Sequence, residues 1–134
     1  MTLDSRFFGA WRLTSSAVEL SEGTAPPPFG EDASGLIVWA SDGGFGAQIS
    51  PGPAPDGTER PYVAYFGTWD YDEAAGEVVH TVDGSVSENL RDTVQRRGVT
   101  FDGDRVTLRP PPTEVDGVTR AMSINWQRVQ ANGS

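Results

Sequence analysis

Along this chain apolar residues recur at every second position, in short segments rich in Val, Thr, Phe, Tyr and Trp. A period of two belongs to strands, whose side chains alternate between two faces. The segments run over 8–20, 35–40, 45–50, 62–71, 77–82, 93–101, 105–109 and 119–129, and Gly, Pro and Asp clusters separate them. Three connections carry turn chemistry: "SDGG" at 41–44, "DEAAG" at 72–76 and "DGD" at 102–104, where Asp-Gly favours the positive backbone angles of a hairpin. Consecutive segments should therefore pair as antiparallel hairpins. Eight such strands in meander order close into an up-and-down barrel, which removes exposed edges and leaves an interior suited to one small ligand. The predicted fold is all-β, a single eight-stranded antiparallel barrel with an internal cavity; a sandwich is the competing architecture.

Size and composition agree with one domain over 1–134, its core at about 7–129. A chain of 134 residues buries roughly two-thirds of its unfolded surface and folds alone. With no cysteine there is no disulfide frame and no thiolate chemistry. All the basic residues are arginine, which excludes a Schiff-base enzyme built on lysine. A net charge of −9 argues against nucleic acid, since phosphate binding needs clustered positive charge. No apolar run approaches membrane-spanning length and the amino terminus lacks a signal-peptide pattern, so a cytoplasmic protein, monomeric or a small homo-oligomer, is expected.

Three stretches interrupt the alternation. Residues 21–34, "SEGTAPPPFGEDAS", form a long connection able to cover a barrel mouth or simply to cross the surface. Residues 51–61, "PGPAPDGTERP", read as a second irregular loop. In "SVSENLRD", 85–92, Ser85 and Glu88 stand at capping-box spacing, which predicts a single helical turn with Glu88 as its cap.

Alternation also assigns faces. In "VVHTVD" Val78, His80 and Val82 share one side, and the two valines make it the interior. Val99 and Phe101 carry Gln95 and Arg97 inward with them, whereas Arg96, Gly98 and Thr100 form the outer face. On 62–71 both parities are apolar and the pattern does not choose; on the last segment Met122, Ile124, Trp126 and Arg128 align. His80 is the only histidine. Its near-neutral pKa suits acid–base work, and its alternative is a core residue whose nitrogens bond Asn, Gln or water. An inward Arg97 must be paired or hydrated, either with a ligand oxygen or with Asp70, Asp83 or Glu19. Tyr65 and Trp69 stack on a flat ligand in one reading and fill the core in the other.

The order "FFGAWRL", "PPFGEDASGLIVWASDGG", "AYFGTWDYDE", "VVHTVDGS", "GDRVTL", "NWQRV", running from about Phe7 to Val129, resembles the lipocalin-like domain family of small bacterial and fungal proteins in the calycin group. The resemblance implies an eight-stranded barrel around a cavity, members that look like small-molecule binders, and related barrels that act as cyclases or isomerases. It also implies a structural pair at the closed end, Trp11 after Gly9 packing against Arg128 of the last strand. Family-like positions include His80, Asn89, Gln95 and Arg97. After the fifth segment the chain departs from the family's Pro-Asn-Trp and Gly-Thr pattern: it reads "ENLRDT", with Leu90 at the tryptophan position and Asp92 at the glycine position.

Other chemistries find little support. No metal-ligand spacing surrounds the single histidine, glycine runs sit in turns rather than before a helix, and Ser85 and Ser87 make no credible triad with His80. "NGS" at 132–134 matches a glycosylation acceptor only formally. The favoured function is a cofactor-independent cyclase or isomerase acting on a hydrophobic polyketide- or terpenoid-like intermediate of secondary metabolism. His80, Arg97 and Gln95 are its candidate catalytic residues, and Tyr65, Trp69, Asn89, Trp39 and Phe45 its candidate ligand contacts. A non-catalytic carrier of a hydrophobic small molecule is the alternative, and a haem ligated by His80 a third reading.

Overall fold

A computed structural model describes residues 1–130; the "NGS" acceptor lies outside the described residues. Nine strands follow one another: β1 (Gly9–Leu20), β2 (Ser34–Trp39), β3 (Gly44–Ser50), β4 (Val63–Asp72), β5 (Glu77–Ser85), β6 (Val94–Asp102), β7 (Arg105–Arg109), β8 (Thr113–Val115) and β9 (Val118–Arg128). Each of β1 to β6 pairs antiparallel with the next, β7 pairs with β9, and β9 returns to β1 from Trp11↔Arg128 to Leu20↔Arg120. Eight strands therefore close a ring, as the alternation predicts. The extra strand, β8, is a three-residue arm on β9, turned by Asp116 and Gly117, both at positive φ.

Up-and-down order sorts the connections between two ends. The short turns at 40–43, 73–76 and 103–104 gather at one end, and the longer connections 21–33, 51–62, 86–93 and 110–117 at the other. Below the short-turn end a 3-10 turn, Ser5–Phe7, swings Phe7 under the barrel. Phe7 is fully buried and its ring centroid lies about 5 Å from those of Trp39, Trp69, Tyr71 and Phe101. Trp11 completes this plug, its indole N–H donating to Phe7 O at 2.9 Å. Arg128 covers Trp11 with its guanidinium carbon 4.2 Å from the ring centroid, donates to Phe8 O and Arg6 O at 2.7 Å each, and meets Asp104 at 3.3 Å. The expected Gly9–Trp11–Arg128 clasp is thus present, and it ties both ends of the barrel sheet to the amino-terminal turn.

Burial decides the strand that parity left open. On β4 Trp69 and Tyr71 are buried while Phe66 on the other face is 59% exposed, so Tyr65, Trp69 and Tyr71 point inward. The β4–β5 register slips between Phe66 and Gly67, which inserts Asp83 as a bulge and sets Ser85 opposite Tyr65. A Cβ added at Gly67 would lie 1.9 Å from Thr81 O and 3.0 Å from Asp83 N, both backbone atoms of the bulged strand. Gly67→Ala is therefore expected to cost about 3 kcal/mol, the upper range for forcing atoms into a packed site. Denaturant unfolding checks it, and a loss below about 1 kcal/mol would mean that the bulge yields easily.

The bulge also corrects the helical turn. A 3-10 turn forms at Glu88–Leu90, but its N-cap is Ser87 and no side chain caps it. Ser85 is still in β5, where its hydroxyl accepts from Ser87 N, and Glu88 reaches Arg91 instead. Asp92, at the family's glycine position, adopts the left-handed conformation that glycine favours, φ 61°.

Candidate functional site

Strand pairing brings the inward residues of β4, β5 and β6 side by side: Trp69 opposite His80, and His80 opposite Gln95. The interior divides into two halves. Toward the plug Trp11, Trp39, Trp69 and Val78 are buried almost completely. Toward the long loops the inward residues Val63, Tyr65, Gln95, Met122 and Ile124 keep partial exposure, as does Arg97, which pairs with Val78. An inward residue that still meets solvent marks an accessible interior, and the sequence-predicted polar residues stand there.

His80 sits at the border between the halves with no exposed surface. Phe45 stacks on its imidazole at 4.2 Å between centroids and 14° between planes. The Trp39 indole N–H donates to His80 Nε2 at 3.0 Å, while Nδ1 has no partner among the described residues. Burial pulls the imidazole pKa down to about 3, the nearby positive charge of Arg97 adding to the effect. An indole N–H can only donate, so Nε2 carries the lone pair and the proton of the neutral ring is on Nδ1. Neither part of this was legible in the histidine's surroundings in sequence, because its partner lies 41 residues away.

Arg97 makes its own hydrogen bonds without a carboxylate. Its Nη1 donates to Arg96 O at 3.0 Å and its Nη2 to Gln95 Oε1 at 3.1 Å. Gln95 Nε2 in turn donates to Thr93 Oγ1, whose hydroxyl donates to Leu90 O. Among the described residues no ion pair involves Arg97, which corrects the expected partnership with Asp70, Asp83 or Glu19. The arginine that is neutralised is its neighbour Arg96, on the outer face, at 3.1 Å from both Asp72 and Glu77. Burial lowers the Arg97 pKa, partly offset by Tyr65, and burial raises the Tyr65 phenol, partly offset by Arg97.

His80, Arg97, Gln95, Tyr65 and Phe45 thus come together. Trp39 lies behind them as the hydrogen-bond partner of His80. Two expected contacts are elsewhere. Trp69 belongs to the plug, donating to Ala40 O at 2.9 Å, and Asn89 is exposed on the rim, accepting from the Ser87 hydroxyl. The reason is geometric in each case: Trp69 stands near the short-turn end of β4, and Asn89 follows the last strand residue of β5 rather than belonging to it.

Over the open end, β1 pairs with β2 only as far as Arg12↔Leu36, although β1 continues to Leu20. The 21–33 loop crosses the seam that this leaves. Phe29 and Ala33 pack against the core, and Phe29 O accepts from Gly52 N at 2.8 Å, which binds the loop to the 51–62 connection. Between loop and strand lies a recess of about 240 Å³ that reaches Leu13 and Ser16, two inward residues of β1, from beneath Pro27, Gly30 and Ala33.

The family model described as "Lipocalin-like domain" matches residues 8–60 and 57–129. The chain belongs to the lipocalin-like domain family. A lipocalin-like barrel is suited to a small hydrophobic ligand. No curated protein matches the chain in sequence. A solved structure titled "The Siderocalin Ex-FABP functions through dual ligand specificities" is similar over 92% of this chain and 70% of its own, with 13% identity and a TM-score of 0.35. A likeness of that degree says nothing about the ligand of this lipocalin-like chain. Among the described residues no group of three or more His, Asp or Glu is placed to hold a metal ion, and no helix is long and apolar enough to cross a membrane.

Proposed function

We propose that the accessible half of the barrel holds a small hydrophobic molecule whose polar end lies against Arg97, Gln95 and His80, with Tyr65 and Phe45 as walls. The observation that carries this reading is a half-buried guanidinium without a carboxylate. A charge withdrawn from water is costly unless a partner meets it, and a ligand oxygen supplies that partner. On this reading the apolar part of the molecule enters through the recess beneath the 21–33 loop, which reaches the inward Leu13 and Ser16.

Within this reading the reaction class is cyclisation or isomerisation of a polyketide- or terpenoid-like intermediate of secondary metabolism. Arg97 and the His80 Nδ1–H, inward on the neighbouring strands β6 and β5, favour it, because donors fixed in place stabilise an oxygen that gains charge. His80 then serves as a donor and not as a base: its free lone pair is engaged by Trp39 and its basicity is low. Orientation of the chain inside the barrel supplies the remainder of the effect. A carrier uses the same contacts with no turnover.

Native mass spectrometry after incubation with an extract of the producing cells separates these outcomes. A molecule recovered from the wild-type barrel in altered form indicates an enzyme, and one recovered unchanged indicates a carrier. Arg97→Gln is expected to lower the captured fraction by tenfold or more, about the contribution of one charge-assisted hydrogen bond. Capture that is insensitive to Arg97→Gln would remove the arginine from the site.

A further inference from the structure

Three buried side-chain polar atoms have no partner among the described residues. His80 Nδ1 is a buried N–H with no acceptor. The other described buried side-chain atoms without a partner are Trp126 Nε1, which can only donate, and Ser16 Oγ, which can donate as well as accept. Arg97 adds a cation with no counter-charge among the described residues. The carboxylates of the barrel strands take no part: Glu19, Asp70, Asp72, Glu77 and Asp102 all fall on the outward parity, and Asp83 is exposed in its bulge. A buried donor without an acceptor costs free energy; His80 Nδ1 and Trp126 Nε1 lack one, and the Ser16 hydroxyl can donate to one as well.

The strand order places this deficit on two walls. In a ring of eight, β1 and β5 stand four strands apart, so Ser16 on β1 faces across the barrel toward the β5 wall that carries His80. Trp126, on the adjoining β9, belongs to the Ser16 side.

Resting on the reading above, we infer that the barrel recognises an acceptor-only ligand: an apolar body bearing a carboxylate-type oxyanion bound by Arg97 and the His80 Nδ1–H, with Trp39 as the positioning residue that fixes the histidine tautomer. A cationic or donor-rich head would leave Arg97 opposed and the His80 N–H still unpaired. A further ether or carbonyl oxygen on the same molecule would find Ser16 and Trp126 on the far wall.

Because His80 is the only histidine, nitrogen-15 NMR of the intact chain reads its two ring nitrogens without assignment by mutation. The free protein should show Nδ1 protonated and Nε2 as acceptor, and Trp39→Phe should convert this to a mixture of tautomers. Dodecanoate, dodecanol and dodecyltrimethylammonium are the probes. Dodecanoate should move the Nδ1 resonance and bind at least about tenfold more tightly than the other two. Arg97→Gln should erase that preference and Arg97→Lys should restore part of it. If dodecanol or the ammonium binds as tightly while moving the His80 signals, the headgroup inference is overturned and the container stands. If none of the three moves them in the folded protein, the container reading itself fails. A wild-type His80 protonated on Nε2 would remove the role of Trp39.

Discussion

Trp11→Ala is expected to lower the unfolding free energy by about 4 kcal/mol, within the range for truncating a buried tryptophan to a methyl group. Trp11 has no exposed surface and packs its ring against Trp39 and Phe101, each 6.1 Å away between centroids. Part of the cost is the emptied volume, since the surrounding aromatics are held by strands that cannot collapse inward together. The rest is specific to the clasp. Without the indole, Phe7 O loses its donor, and the Arg128 guanidinium loses the face that it covers. Arg128 would retain its bonds to Phe8 O and Arg6 O, but on a turn no longer pinned from below. Denaturant titration gives the value. Tyr62→Ala, at a residue that is 51% exposed, should stay within about 0.5 kcal/mol and serves as the control for loss of an aromatic as such. A Trp11→Ala loss under about 1.5 kcal/mol would mean that the plug repacks, and that the clasp is not what closes the barrel.

The plug shows why so much of the fold was legible in the sequence. Eight runs of period two, with turn residues between them, leave few other ways to hide both the apolar faces and the strand edges. The same logic pointed His80, Gln95 and Arg97 inward, since each shares parity with a valine or phenylalanine. Local pattern was silent wherever a bulge shifted it. The extra residue at Asp83 prolongs β5 to Ser85 and so removes Ser85 from the cap of the following turn. The β8 arm had a usable signal in Asp116-Gly117, an Asp-Gly pair of the kind that marks the hairpin at 102–104.

Chemistry was less legible than architecture because it depends on contacts between distant strands. The tautomer of His80 is set by a tryptophan on β2, and the isolation of Arg97 follows from every nearby carboxylate having the opposite parity. A residue-by-residue list places Arg96 and Arg97 together as a basic pair. The barrel wall separates them, giving Arg96 two carboxylates outside and Arg97 none within among the described residues.

The acid stability of the protein should follow from the same histidine. Folded, the His80 imidazole has a pKa of about 3, whereas the ordinary value of 6.5 applies once the chain unfolds and water reaches the ring. Between these values the unfolded chain binds a proton that the folded chain refuses, so stability rises with pH across this window. The contribution is present in full above pH 6.5, declines as the pH falls toward 3, and levels off below that. At about 1.4 kcal/mol for each unit of displacement, the wild-type protein should lose about 2 kcal/mol between pH 7 and pH 5, and about 4 kcal/mol by pH 3. His80→Gln keeps an acceptor for the Trp39 indole and carries no titrating group, so its stability should stay nearly flat from pH 7 to pH 5. Asp4, held below the usual carboxylate range by Arg6, and Asp72, held there by Arg96, also destabilise the fold in acid. Their loss comes at lower pH and is common to both proteins, so the difference between wild type and variant isolates the imidazole. Parallel stability curves for the two proteins from pH 7 to pH 5 would show that His80 accepts its proton in the folded state. In that case the ring would be an acid–base group in reach of water, and general acid–base catalysis by His80 would return as the better account of the site.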